Sequence, residues 1–159
     1  MSDASPDFLL KFLPLFFLLF FAVIWLGVTT LLGFLSGWFA LMQQFPDRDE
    51  KPLLQLNWQS GMMGSIGVNL RNVLKIGVCP SGLRIGMLRV FGLFAHDFFV
   101  PWHSISAAQR DWFLGSMTEL SFGKPAVGRL MIYAGAAEQI VKAGQGWPEI
   151  ARALKTLKP

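Results

Sequence analysis

The chain is short of charge. Only 15% of its 159 residues are Asp, Glu, Lys or Arg, against about 25% in an ordinary soluble domain, so part of it is made for a medium other than water. The shortage is local: from Phe12 to Met42 there is no charged side chain. Cysteine is almost absent. Cys79 stands alone, which excludes an intrachain disulfide and a cysteine-rich zinc site. No Gly-x-Ser-x-Gly elbow is present for a nucleophilic serine. "GMMGSIG" (61–67) lacks the Lys-Ser/Thr that completes a phosphate loop and reads as a flexible connection between strands. The basic residues of the second half are spaced singly, with no aromatic–basic cluster, so nucleic acid is not an expected partner.

What is abundant is apolar and aromatic. Six of the 15 Phe fall between Phe8 and Phe21. Phe12 to Gly33 would make roughly 33 Å of helix at about 1.5 Å per residue, which matches a hydrocarbon core of about 30 Å. The run is too long and too rich in Phe and Trp for a signal-peptide core, and it lacks a basic leader. It reads as a retained transmembrane anchor, opened by "SPDF" with Ser5 as N-cap and Pro6 at the first helical position, and bent near its start by Pro14. In "SGWFALMQQFP", Ser36 is a suitable N-cap and Pro46 a stop. Between them Trp38, Leu41, Met42 and Phe45 share one helix face. This predicts a short amphipathic helix at the membrane surface or against the following domain. One continuous helix, or a tight hairpin, are the other ways to use residues 12–42. Gly33 and Gly37 form a GxxxG, a candidate for helix packing or a simple hinge.

Charge divides unevenly. Residues 1–51 hold three basic and five acidic groups, a net of −2; residues 52–159 hold eleven and five, a net of +6. The excess of Lys and Arg beyond the span places the N-terminus outside and the large domain in the cytoplasm.

"PDRDEKP" (46–52) reads as a solvated polar linker. After it the apolar period shortens to two. Ile76 and Val78, then Leu83, Ile85 and Met87, flank Pro80-Ser81-Gly82 as a β-hairpin. Phe98, Val100 and Trp102 alternate, as do Leu120 with Phe122 and Leu130 with Ile132; Leu54, Leu56 and Trp58 start the sheet. Pro101 implies an edge or a strand end. Ala137, Ile140 and Val141 then follow a helical period that stops at Gly144, and Trp147-Pro148-Glu149 opens a second helix. The expected fold is a membrane-anchored α+β protein: segment and span 1–35, interfacial helix 36–46, linker 47–52, and a small antiparallel β-barrel or roll with C-terminal helices over 53–159.

"GVCPSGLRIGMLRVF…FFVPWHSISAAQRD" resembles the pattern of bacterial pleckstrin-homology-like (PH-like) domains in small single-span membrane proteins: a turn with Gly-Leu, a strand, then Pro-Trp-x-x-Ile. Gly82, Leu83, Pro101, Trp102 and Ile105 carry the likeness, which covers residues 36–133. The layout also resembles that of uncharacterised proteobacterial membrane proteins. The resemblance implies a PH-like roll and brings no catalytic residues with it. "FGLFAHD" departs from the pattern, at a place suited to a long loop.

His96, Asp97, His103, Ser104 and Cys79 are the residues with chemistry to offer. Their spacing fits no zinc pattern, and adjacency of His103 and Ser104 says nothing of a triad. Trp102-His103-Ser104 reads as a corner where a strand leaves the domain, with Trp102 in the core, and Cys79 as a packed thiol. No enzyme activity, metal or cofactor is expected. The expectation is a membrane-anchored protein-binding module, an accessory subunit or assembly factor of an inner-membrane complex. Its interface would be Phe91, Phe94, Phe98, Phe99 and Trp38, provided these are exposed. The alternative is an anionic-lipid-binding domain that uses Arg84, Arg89, Arg152, Lys155 and Lys158 on the membrane surface.

Overall fold

The computed structural model describes residues 6–112 and 115–144. Helix α1 (Pro6–Leu35) is followed by α2 (Trp38–Gln44). Seven strands come next: β1 (Leu54–Met63), β2 (Val68–Val78), β3 (Gly82–Met87), β4 (Phe98–Pro101), β5 (Ile105–Trp112), β6 (Gly115–Phe122) and β7 (Gly128–Tyr133). Helix α3 (Ala134–Ala143) follows β7 and stops at Gly144. The second expected helix, from Trp147, lies outside the described residues.

All seven strands join one antiparallel sheet in the order β4-β3-β2-β1-β7-β6-β5. That order forces curvature. Strands lie about 4.8 Å apart, so a flat sheet would separate its edges by roughly 29 Å. Yet β4 and β5 are the two edges and are joined only by the 3-10 turn Trp102–Ser104, whose reach is about 10–14 Å. The sheet therefore rolls into a half-barrel, and Phe98 of β4 meets Phe122 of β6 edge to face, with ring centroids 6.2 Å apart.

The bend is located in β1. Its residues before Trp58 pair with the end of β2, and Gly61 to Met63 pair with both β2 and β7. Between them the register slips twice: Trp58 takes a φ of 59° in the first slip, and Asn72 of β2, bonded to Ser60, takes 53° in the second. A β-bulge of this kind bends and twists a strand. It also turns Trp58 outward, 65% exposed, so the expected alternation Leu54, Leu56, Trp58 breaks at its third member. The hairpin of β2 and β3 follows the expected pattern: Ile76 faces Ile85, Val78 faces Leu83, and all four are buried. Pro101 ends an edge strand, as its missing N–H requires.

The half-barrel is filled from the side by the two helices nearest it. In α2, Trp38 and Leu41 are fully buried, and Phe45 after it nearly so. Trp38 packs edge to face on Phe98 at 5.0 Å, and a Cβ at Gly128 of β7 would overlap Leu41. Of the two placements open to this amphipathic segment, it has the one against the domain. From α3, Ala136, Ala137 and Ile140 close the same core. Each fully buried large side chain contributes about 1.5–3 kcal/mol, so α2 belongs energetically to the β unit.

One local expectation is corrected and another is refined. Ser36 does not cap α2; its hydroxyl donates back to the Gly33 carbonyl at 3.0 Å, and Gly37 stands at the helix start with φ 75°. A left-handed residue here ends α1 and redirects the chain, so residues 12–42 form neither one long helix nor a hairpin of spans. The segment 46–52 is solvent-exposed except at Glu50, as expected of a solvated connection, but it is tied down. Pro46 bridges to Phe98, the Phe45 carbonyl accepts the Phe99 N–H, Asp47 pairs with Arg84, and Glu50 accepts from the Ser81 hydroxyl and backbone N–H. It is a strap along the β3–β4 edge, which covers backbone groups that would otherwise invite pairing with another chain.

Candidate functional site: an apolar groove beside the long helix

Helix α1 is 30 residues long, and the most apolar 18-residue window of its Leu10–Leu35 stretch has a mean hydropathy of 2.6 and no buried part. By length and composition it can serve as a membrane anchor or a signal sequence. Its last third has two opposite faces. Trp25, Val28, Thr29, Leu32, Gly33 and Ser36 turn toward the β unit. Gly27, Leu31 and Phe34 turn away from it, about 180° around the helix at 100° per residue.

The inward face forms one wall of a groove of about 290 Å³. The other wall is Val68, Leu70 and Val73 of β2, Met87 at the end of β3, and the segment from Phe91 to Ala95. Trp25 ties the walls together: its indole N–H donates to the Val90 carbonyl at 3.2 Å, and its ring lies 5.9 Å from that of Phe91. The Thr29 hydroxyl, in an otherwise apolar wall, is satisfied by the Trp25 carbonyl one turn back at 2.8 Å. Near the foot of the groove, Phe39 lies against Gly33, where an added Cβ would come within 3.1 Å of its ring.

Leu88 still donates its N–H to the Val73 carbonyl of β2 at 3.0 Å, and beyond it the segment 89–95 has no strand partner. A 3-10 turn over Arg89–Phe91 and a bond from the Ala95 N–H to the Gly92 carbonyl satisfy part of its backbone. Gly92 fits because a side chain would strike Met87 and Ala95. The outward side chains are Val90 at 69%, Leu93 at 61% and Phe94 at 59% exposed. With Phe91, still 42% exposed beside Trp25, four apolar side chains on the loop between β3 and β4 make a patch that water alone covers poorly. Arg89 is exposed on the same loop, Arg71 and Asn69 stand on the groove's rim, and no carboxylate lines the groove.

The sequence-based interface set therefore splits. Exposure holds for Phe91 and Phe94. It fails for Phe98, which is in the core, for Phe99, which is 3% exposed under the Arg48 guanidinium 5.2 Å from its ring centroid, and for Trp38, whose indole donates to the His96 carbonyl at 3.0 Å. Of the proposed lipid contacts, Arg84 is engaged by Asp47 and Asp97, Arg89 is free to reach outward, and Arg152, Lys155 and Lys158 lie outside the described residues. Gly33 and Gly37 both serve the chain's own turn, one under Phe39 and one at the left-handed position. Trp25, Val90, Leu93, Arg71, Leu31 and Phe34 were not singled out from sequence. Trp25 had a signal, an indole within a run otherwise built for lipid; Arg71 had none.

The residues with chemistry to offer do not gather. His103 is exposed in the corner turn, while Trp102 beside it is buried and donates to the Cys79 and Pro80 carbonyls at 3.3 and 3.2 Å. The Ser104 carbonyl accepts the Gly123 N–H at 2.8 Å. The corner is a 3-10 turn and not strand, so His103 and Ser104 are not on opposite faces of a sheet. Cys79 is buried and its thiol pKa is raised, first by burial and then by Glu50, which makes it a poor nucleophile. Among the described residues no three of His, Cys, Asp and Glu stand close enough to hold a metal.

No family model matches the chain, and neither a curated protein nor a solved structure matches it.

Proposed function

We propose that this is a non-enzymatic, single-span membrane-anchored module that binds another membrane protein, as an accessory subunit or assembly factor of an inner-membrane complex. Helix α1 crosses the bilayer with its N-terminus outside, and a PH-like domain rests on the cytoplasmic face, where the positive excess of residues 52–159 belongs. The seven-strand antiparallel meander closed by α3 supports the PH-like reading. Retention of α1 is supported by its contacts: Trp25 with Val90 and Phe91, and Gly33 with Phe39, bind its end into the domain.

Where the bilayer ends follows from polarity. Arg89 directly precedes Val90, whose carbonyl accepts the Trp25 indole N–H, so it stands beside the Trp25 level of α1, and charged groups are expelled from hydrocarbon. Trp25 thus lies at the membrane–water boundary, where Trp is favoured. A crossing of about 30 Å that ends there takes about 20 residues and begins near Pro6, earlier than the 12–33 read from the sequence. Lys11 then reaches back to the outer surface. Leu26–Leu35 rises about 15 Å above the boundary. Its outward face, with Leu31 57% and Phe34 74% exposed, would stand in water unless another protein covers it. That uncovered face carries the proposal.

A photo-crosslinking residue placed at 31 or 34 of the full chain, in native membranes, should yield one discrete adduct, and the same residue at 29, against the chain's own groove, should not. Uniform or absent adducts at 31 and 34 would remove the protein-binding reading. Extraction of the protein by alkaline carbonate would remove the anchor itself.

A further inference from the structure

The groove between α1 and the domain is open to a different occupant from the outward face. We propose that it holds one acyl chain of an anionic phospholipid from the cytoplasmic leaflet, with the phosphate at Arg71. This rests on the reading of α1 as a bilayer span.

Three observations lead to it. The groove is lined by Val28, Leu32, Val68, Leu70, Val73 and Phe91, and its polar atoms are either satisfied within the wall, as at Thr29, or gathered at the rim. A space of about 290 Å³ is many times the roughly 10–15 Å³ that one water needs on this measure, and it has room for a stretch of alkyl chain. Water in such a space would find few partners, whereas a hydrocarbon chain needs none. Second, one wall is the anchor helix at the level of Trp25. The groove rises from that level, so a lipid of the inner leaflet enters by turning one acyl chain up along α1 while its other chain stays in the hydrocarbon. Third, the rim charge has one sign. Arg71 lines the groove and Arg89 extends from the adjoining loop, with no lining carboxylate to oppose an anion. Asp97, the nearest acidic side chain along the sequence to Arg89, is turned to Arg84 at 3.8 Å. The loop that closes the groove presents Val90, Leu93 and Phe94 outward, a surface that dips into the same leaflet and keeps the mouth at headgroup level.

The lipid would be a structural part of the membrane-facing unit. It fills the gap between helix and domain, and it sets the height at which the domain sits. A free phosphate ion would satisfy Arg71 alone and leave the apolar space unused, so the two sources separate experimentally.

The test uses the full-length chain reconstituted in vesicles of phosphatidylcholine doped with phosphatidylglycerol that carries a diazirine on one acyl chain. Adducts are mapped by peptide mass spectrometry. Labelling should concentrate at Leu32, Val68 and Val73 and exceed labelling by the matching phosphatidylcholine probe. Arg71→Gln should lower groove labelling roughly fivefold, the weight of one basic contact near an anionic surface, and leave mid-span labelling at Phe16 and Phe20 unchanged. Arg71 is exposed, so this variant does not put folding at stake. Val73→Trp should abolish groove labelling by occupying the space. Excess inorganic phosphate should not compete. The inference is overturned if groove labelling does not exceed that at Phe16 and Phe20, if the two headgroups label equally with no effect of Arg71→Gln, or if phosphate alone displaces the probe. Mid-span labelling by either lipid tests the anchor separately: without it the span reading fails, and with it but without groove labelling only the lipid site fails.

Discussion

Phe91 and Phe94 differ from Phe98 and Phe99 in nothing but address. Four identical side chains lie within nine residues of sequence, and two face outward while two are covered. The dividing line is where strand pairing begins. Phe98 and Phe99 are in β4, whose ladder to β3 points one ring into the half-barrel and the other to the outer face, where the strap 46–52 and Arg48 lie over it. Phe91 and Phe94 precede the ladder, in a segment held to the rest of the protein through Trp25 and two short turns. Hydrophobicity alone does not decide burial; a backbone partner does. In the proposed membrane setting, the loop's outward apolar side chains have a second medium to enter.

Truncation breaks the comparison most sharply. Phe98→Ala removes a ring that touches both Trp38 and Phe122, and should cost about 3–5 kcal/mol. Phe94→Ala should change stability by no more than about 0.5 kcal/mol. Chemical unfolding of the full chain in detergent measures both. Vesicle association of the domain face should show the reverse order, with Phe94 the sensitive position. Equal unfolding costs at the two sites would place Phe94 in the core and end the argument for an outward loop.

How much of this was legible beforehand follows the same line. The β2–β3 hairpin was readable because both strands alternate strictly and Pro80-Ser81-Gly82 marks the turn. The edge strand was readable from Pro101, the corner from Trp102, and the stop of α3 from Gly144. The amphipathic face of α2 was readable, but not which surface it would meet; that depended on a half-barrel left open on one side. The strap at 46–52 was hidden because polar residues look alike whether they pair with water or with Arg84 and Ser81. The bulge at Trp58 was hidden for another reason: an indole in the left-handed region is set by the paired strand's curvature and not by its own preference. The groove was least legible, since its walls come from α1, β2 and the loop after β3, and none of them is unusual alone.

Phe99 sharpens the contrast at a smaller scale. It is covered chiefly by a side chain from the strap, with the Arg48 guanidinium 5.2 Å above the ring. Arg48→Ala should cost roughly 0.5–1 kcal/mol, the range for a cation over an aromatic face at a surface site. Arg48→Lys should recover part of it, and Arg48→Ala combined with Phe99→Leu should cost less than the two single losses added together. Strict additivity in that double-mutant cycle would mean that the strap covers Phe99 without holding it.

The smallest expected effect sits at the boundary itself. Asp97 is the last residue before β4, and its carboxyl pKa is raised above the usual value, first by burial; Arg84, Lys75 and Arg89 pull it down and Asp47 pushes it up. The folded protein therefore holds this proton more tightly than the unfolded chain does. The contribution of Asp97 is fullest below its unfolded value near 3.8 and is lost as pH rises through the higher folded value. Over that window the thermal midpoint of the wild-type chain should decline relative to Asp97→Asn, in which the position cannot ionise, and the two curves should run parallel above it. The opposite divergence, wild type gaining on Asn as pH rises, would mean that the pair with Arg84 outweighs burial. The first strand residue after the exposed loop would then be held by an ion pair rather than by the close packing that sets Phe98 apart from Phe94.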